Sequence, residues 1–137
     1  GGCSKMVKMT KEVMDLFNDP RASKVLATLD REGNPSVVPI GSLSALDEET
    51  IAFGEIFIGK TKENLEATKK AAALAFKLPP VGYEIKGTLQ GFQASGAVFD
   101  NFARQIKESI KLDIKSVGLI KVDEVYSVTP GKSGKIA

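Results

Sequence analysis

The segment Gly54–Thr61, with the sequence GEIFIGKT, combines residue types that can bind a phosphate group. It matches the nucleotide-binding pattern G-x-x-x-x-G-K-[ST] at every fixed position, after a predicted strand and before a predicted helix. At a helix start, unpaired amides and the helix dipole attract anions. Lys60 adds a positive charge and the Thr61 hydroxyl adds a hydrogen-bond donor. The segment is therefore a candidate phosphate site.

Two interpretations of this segment differ in the chemistry that follows. In a nucleoside triphosphatase, the loop would wrap around the phosphates, and Asp123, which follows the apolar stretch LIKV, would bind magnesium. The loop residues Ile56, Phe57 and Ile58 are bulky, and β-branched residues favour extended backbone over such a wrap. The chain also lacks the strand–helix alternation of that class. We therefore keep the nucleotide-binding protein as the alternative to a simpler monophosphate cradle.

The absence of histidine narrows the chemistry more than any other count. The 137 residues include no His, one Cys and no Trp. This composition excludes Ser-His and Cys-His nucleophile pairs and histidine-ligated metal or haem. A single Cys allows neither an internal disulfide nor a thiolate metal cluster. We therefore predict no catalytic residue and no metal site, and we expect a cofactor to carry any chemistry.

Charge and hydropathy are those of an ordinary soluble domain. Nineteen Lys and Arg balance seventeen Asp and Glu, which leaves a net charge of +2 with the basic residues scattered. This balance predicts no nucleic-acid partner. No apolar run approaches the ~20 residues of a membrane span, so we expect no membrane partner. One lone Cys fits a reducing compartment, which predicts a cytoplasmic protein.

The order of predicted elements favours an antiparallel barrel or sheet with peripheral helices. We expect residues 1–9 to be a disordered leader or a cloning remnant, with Cys3 as a free thiol, and residues 10–137 to form one domain. The predicted strands are 24–30, 36–43, 50–54, 83–92, 116–122 and 125–128. The predicted helices are 10–18, 62–69 with Thr61 as its cap, and 98–112. Residues 71–78 fit a buried strand or a continued helix, and residues 130–137 are expected to be a flexible tail.

The second hairpin strand, SVVPIGSL, is irregular. Pro39 provides no amide donor, and Gly41 follows two residues later, so the pair indicates an edge strand or a bulge. An irregular strand can expose backbone groups beside a flat apolar slot, which suits a planar ring.

Three segments in this order resemble the flavin mononucleotide (FMN)-binding split-barrel family, which includes the pyridoxamine phosphate oxidases and related small flavoproteins. They are VLATLDREGNPSVVPIGSL, IAFGEIFIGKTKENL and GYEIKGTLQGF, and the resemblance extends from Val25 to about Val128. It implies a mainly β fold, a split β-barrel of about six antiparallel strands with peripheral helices. It also implies a homodimer.

The resemblance further implies FMN as the cofactor and assigns residues to it. The family's phosphate-binding Lys-Thr pair falls on Lys60 and Thr61, with Asn64 one turn further along, and Gln90 on the long strand is a further contact. The segment VYSVTPG near the C-terminus would approach the flavin of the partner subunit. The ring would lie along the second hairpin strand, whose implied contacts are Val38, Pro39, Ile40, Gly41 and Ser42.

The function implied by the resemblance is that of an FMN-dependent oxidoreductase or electron carrier with an unidentified small-molecule substrate or redox partner. The vitamin B6 oxidases of this family are longer and hold their substrate with Arg and His near the C-terminus. This chain has no His and its last Arg is Arg104, so we do not expect it to oxidise pyridoxamine phosphate. A deazaflavin or another phosphorylated ligand on the same fold remains an alternative.

Overall fold

A computed structural model describes residues 6–137 and contains three helices and eight strands. The helices are α1 (Lys11–Phe17), α2 (Gly59–Thr68) and α3 (Ala97–Ile110). The strands are β1 (Ser23–Leu29), β2 (Pro35–Pro39), β3 (Ser44–Asp47), β4 (Thr50–Glu55), β5 (Lys70–Lys77), β6 (Val81–Gln93), β7 (Ser116–Ser127) and β8 (Gly134–Lys135).

The strands form one sheet in the order β2-β1-β5-β6-β7-β4-β3, with β8 beside β7. Every pair of neighbouring strands among the described residues is antiparallel. The predicted mainly β split barrel with peripheral helices is confirmed, and the short strands β3 and β8 bring the number of strands to eight. Residues 71–78, which fitted either a strand or a helix, belong to β5, and the two predicted final strands are one continuous strand, β7.

The inner face of the sheet follows from the alternation of side chains along each strand. Val38, Leu26, Ala73, Ile85 and Val125 are register partners from one strand to the next. The last four of these residues are at most 1% exposed, so this row lies in the main core. The apolar face of α1 packs into the same core. A Thr10 side chain that accepts a hydrogen bond from the Val13 amide caps this helix, as predicted.

Both ends of the described chain are attached to the sheet. The Met9 side chain is 3% exposed and its amide donates to the Glu48 carbonyl at 2.8 Å. The packed domain therefore begins before residue 10, whereas residues 1–5, including Cys3, lie outside the described part. The Val125 amide donates to the Ala137 carbonyl at 2.8 Å, and the Ala137 amide donates back at 3.1 Å. The expectation of a flexible tail is therefore wrong, because the end of the chain pairs with β7.

The long strand β6 bends at two glycines. The register between β6 and β7 shifts at Lys86/Gly87 and again at Leu89/Gly91. A Cβ built on Gly87 would lie 2.5 Å from the Lys121 carbonyl oxygen, so no side chain fits there. Gly87 therefore allows the close approach of β6 and β7, whereas Gly91 has open space around it and a φ of +153°, a backbone conformation that favours glycine.

Helix α3 covers the other side of β4 and β7, where Phe102 and Ile106 pack with Ile114 and Val117 in a second, smaller core. Across residues 6–137, no helix combines the length and apolar character needed to cross a membrane.

Candidate functional site

Three residues separate the end of β4 from the first turn of α2. Helix α2 starts at Gly59, and its N-cap residue is Ile58, whose apolar side chain makes no capping hydrogen bond. Thr61 lies inside the first turn and is 4% exposed, so its prediction as the cap is wrong. Because Ile58 does not cap the helix, the amides of the first turn are available to an anion.

Lys60 lies exposed in this turn and faces the β1–β2 hairpin. The pKa of the Asp30 carboxyl in that hairpin is lowered, chiefly by the Asn34 amide that donates to it, and the nearby charge of Lys60 adds to this effect. Among residues 6–137, Lys60 forms no ion pair, so its ammonium group adds positive charge to the helix start.

Two side chains of α2 attach the helix to β1. The Asn64 side chain is 2% exposed, and its amide donates to the Thr28 hydroxyl oxygen at 3.1 Å. The Thr68 hydroxyl donates to the Leu29 carbonyl at 3.1 Å. Asn64 therefore positions the helix beside the hairpin, and its contact with a ligand stays a prediction.

The predicted ring-binding residues 38–42 lie where β2 ends and the chain turns toward β3. Val38 packs against the main core and Ile40 is 6% exposed within it, so both side chains point inward. Pro39 and Gly41 are exposed. Among the described residues, strand β2 pairs only with β1 and is an edge strand, one of the two arrangements that Pro39 and Gly41 indicated. A ligand at this edge would meet backbone groups, Pro39 and Gly41.

Ser42 connects this loop to the end of β4. The Ser42 hydroxyl oxygen accepts a hydrogen bond from the Gly54 amide at 2.9 Å, and the Ser42 carbonyl accepts one from the Ser44 hydroxyl at 2.7 Å. The structure thus brings two predicted segments together: residues 38–42 and the segment Gly54–Thr61 that leads into α2.

Gln90 lies apart from these residues. It is exposed on β6 and lines a cavity of about 220 Å³ near the start of the described chain. The other residues that line the cavity are Met6, Val7, Glu49, Thr50, Lys121 and Val122. None of the other predicted site residues lines it, so a cofactor contact from Gln90 stays a prediction.

A buried cluster behind the first turn of α2 was missed by the sequence analysis. The Glu55 Oε1 atom accepts hydrogen bonds from the Ser116 hydroxyl at 2.6 Å and from the Lys62 Nζ at 3.1 Å. Burial raises the pKa of Glu55, but these two donors outweigh it and the pKa lies below its ordinary value. The sequence signal that could have indicated this cluster is the charged residue Glu55 at the end of the apolar strand TIAFGE. No local pattern indicates its partner Ser116, which is distant in sequence.

The structure does not support the nucleoside triphosphatase alternative. The Asp123 carboxylate accepts a hydrogen bond from the Thr88 hydroxyl at 2.5 Å. Glu55, the second residue of the segment Gly54–Thr61, pairs with Ser116, and Asp123 follows Ser116 by seven residues along β7. At ~3.3 Å per residue, roughly 20 Å of strand separates Asp123 from that segment. The candidate magnesium ligand Asp123 therefore lies beyond the Thr50 end of β4, away from Gly54. The described strands also form no parallel pair.

Metal ligands are not grouped in the described part of the chain: residues 6–137 contain no cluster of three His, Cys, Asp or Glu side chains that could hold an ion.

Comparison with known sequences gives one family. The family model described as pyridoxamine 5'-phosphate oxidase matches residues 9–129, which is nearly the whole chain. No curated protein matches the sequence.

Solved structures share the fold over most of their length. HupZ of Group A Streptococcus is 26% identical with a TM-score of 0.79, and the match covers 92% of this chain and 98% of HupZ. An FMN-binding protein from Syntrophomonas wolfei is 20% identical with a TM-score of 0.81, and the match covers 87% of this chain and 85% of that protein. HutZ, the haem storage protein from Vibrio cholerae, is 12% identical with a TM-score of 0.65, and the match covers 93% of this chain and 96% of HutZ. The last two show likeness of fold alone.

Proposed function

The chain belongs to the pyridoxamine 5'-phosphate oxidase family, and we propose that it is a homodimeric flavoprotein that binds FMN in an oxidoreductase or electron-carrier role. The observation that carries this proposal is the hydrogen bond from the Gly54 amide to the Ser42 hydroxyl oxygen. It joins an edge suited to a flat ring to a helix start suited to a phosphate. A ligand with both parts, such as FMN, would occupy both.

The phosphate would lie at the first turn of α2. The amides of Gly59, Lys60 and Thr61 are at the positive end of the helix dipole, and Ile58 does not cap them. Lys60 adds a full charge, and a charge-assisted hydrogen bond to a phosphate is stronger than a neutral one. The buried Asn64 holds this turn in place through Thr28.

The ring would lie against the open edge of β2 and the turn that follows it. The outward edge of β2 has no strand partner among the described residues, so its backbone groups can bond to the polar edge of a ring. A Cβ built on Gly41 would meet nothing within 4 Å, so the space in front of this residue is open. Bound FMN would supply the electron or hydride chemistry, and the chain would supply binding and orientation.

The outer face of the sheet favours a second copy of the chain as the partner. Val37, Ala27 and Ala72 form one row of register partners on this face. Pro39, Val25 and Leu74 form the next row. Val37 is 64% exposed and Phe76, further along β5, is 38% exposed. A contiguous apolar patch of this kind marks an interaction surface. Because it adjoins the open edge of β2, a two-fold partner would close two equivalent sites.

Haem fits this chain less well than FMN. HutZ is a haem storage protein, but this chain has no histidine to ligate iron. A cationic helix start suits a phosphorylated ligand instead. A deazaflavin that carries a phosphate group is the second candidate.

Titration of the protein, freed of any bound flavin, with FMN and with riboflavin tests the proposal. These ligands share the ring and differ in the phosphate. Two charge-assisted hydrogen bonds of ~1.5–3 kcal/mol each predict a preference for FMN of about 100-fold or more. Flavin fluorescence gives both dissociation constants. Equal affinities for the two ligands would contradict the phosphate site. If neither ligand binds, the proposed cofactor is contradicted.

A further inference from the structure

A partly buried ion pair joins the end of β4 to the first turns of α2, where the phosphate site is proposed. Glu55 is the last residue of β4 and is 6% exposed. Its partner Lys62 is the fourth residue of α2. The Lys62 Nζ atom lies 3.1 Å from the Glu55 Oε1 atom. The same segment of chain thus carries a buried negative charge and the site proposed for a phosphate.

Lys62 is held between two partners. Its ammonium group contacts Glu55 on one side, and its Nζ atom lies 4.9 Å from the centre of the Phe92 ring. The Lys62 side chain is 34% exposed, whereas the nearby cation Lys60 is exposed and forms no ion pair within the described chain. Lys62 therefore belongs to the buried cluster, and Lys60 is the cation that faces outward.

The charge of Glu55 must be balanced if an anion is to bind nearby. Charges interact more strongly where water is excluded than in bulk solvent, so an unbalanced carboxylate behind α2 would repel a phosphate. Two cations face Glu55: Lys62 by direct contact and Lys115 at longer range. The Ser116 hydroxyl is neutral and holds the carboxylate in place without changing its charge.

We propose that Lys62 acts on phosphate binding through Glu55: it neutralises the buried carboxylate and so allows the start of α2 to accept a monophosphate. Lys62 is then a positioning residue that sets ligand specificity and does not touch the ligand. This inference rests on the proposed FMN site. It assigns different roles to two lysines of α2, with Lys60 at the phosphate and Lys62 paired with Glu55.

A double-mutant cycle separates this role from direct contact. The variants are Lys62→Met, which retains a side chain of similar length against Phe92, Glu55→Gln, which retains an acceptor for Ser116, and the two combined. FMN and riboflavin dissociation constants are measured for each variant, with the melting temperature as a check on folding. Lys11→Met is the control, because it removes the same charge from an exposed ion pair with Asp15 on α1.

We expect Lys62→Met to weaken FMN binding by about 10-fold and to change riboflavin binding by less than about twofold, since riboflavin has no phosphate. Glu55→Gln should bind FMN as well as or better than the wild type. The double variant should return to within about threefold of the wild type, because both charges of the pair are absent. The Lys11→Met control should bind both ligands normally.

Two results would overturn the inference. A double variant as weak as Lys62→Met would mean that Lys62 contacts the phosphate itself, and an unchanged Lys62→Met would mean that the ion pair has no influence. Either result leaves a wild type that prefers FMN, so the proposed function survives it. A wild type without preference for FMN over riboflavin would instead remove the phosphate site and the inference together.

Discussion

The Ser42 hydroxyl oxygen accepts a hydrogen bond from the Gly54 amide at 2.9 Å. Strand β3 pairs with β4 only as far as Ser44 opposite Ala52, so the Gly54 amide lies beyond the end of β3. A side chain from the preceding loop takes the place of the missing strand partner. This single bond joins the turn after β2 to the end of β4.

Replacement of Ser42 by alanine is expected to destabilise the protein. The buried Gly54 amide would lose its acceptor, which costs about 1–3 kcal/mol in the free energy of unfolding. Urea unfolding followed by circular dichroism measures the change. Ser109→Ala is the control, because the Ser109 hydroxyl bonds to the Gln105 carbonyl on the exposed surface of α3. Equal stability of Ser42→Ala and the wild type would mean that water replaces the Ser42 hydroxyl.

Lys60→Ala is expected to weaken FMN binding by roughly 10- to 100-fold and to leave riboflavin binding nearly unchanged, because only the phosphate contacts this side chain. Fluorescence titration with both ligands measures the difference. Asp123→Ala should bind FMN normally, since Asp123 lies at the other end of β4. Equal losses for the two ligands in Lys60→Ala would indicate general damage to the site.

Val37→Asp is expected to convert the proposed dimer to a monomer. The side chain is 64% exposed in a single chain, and a charge there would be buried without a partner in the dimer. Light scattering should give about 29 kDa for the wild type, twice the chain mass of 14.6 kDa, and half that mass for the variant. Leu112→Asp, a similar change at a residue 39% exposed after α3, should remain dimeric. A wild-type monomer with tightly bound flavin would contradict a site shared between subunits.

Asp19→Asn is expected to lower the melting temperature near neutral pH and to have less effect in acid. The Lys77 ammonium group donates to Asp19 at 2.8 Å, and together with the Arg21 amide and side chain it holds the pKa of this carboxyl well below its ordinary value of 3.8. The unfolded chain, which lacks these contacts, takes up the proton at higher pH. The contacts therefore stabilise the fold above about pH 4 and lose this effect as the pH falls toward about 2.

Thermal unfolding of the wild type and Asp19→Asn at several pH values between about 2 and 7 measures this effect. The two melting curves should converge as the pH falls. Asp15→Asn is the control, because Asp15 forms an exposed pair with Lys11 within one helix. A gap between wild type and Asp19→Asn that stays constant across the range would show that the charge of Asp19 contributes nothing.

Local sequence patterns were sufficient to predict most of the elements. The alternation of apolar residues in KVLATLD and YEIKGTLQGF predicted β1 and β6, and the spacing of Phe99, Phe102 and Ile106 predicted α3, because these signals depend only on neighbouring residues. The start of α2 was misplaced for the same reason. Thr61 resembles a cap in sequence, but the helix starts at Gly59 and not at the predicted Lys62, so Thr61 is buried in its first turn.

The fold family, the candidate phosphate-binding segment Gly54–Thr61 and the lack of histidine can all be read from the sequence. Each of these is a property of residue types and their order. The contacts between distant residues follow from the folded structure instead: Ser42 with Gly54, Asn64 with Thr28, and Glu55 with Lys62 and Ser116. Glu55 and Ser116 are 61 residues apart and become neighbours only because β4 and β7 pair in one register. Such partners depend on strand pairing across the sheet, which no local pattern specifies.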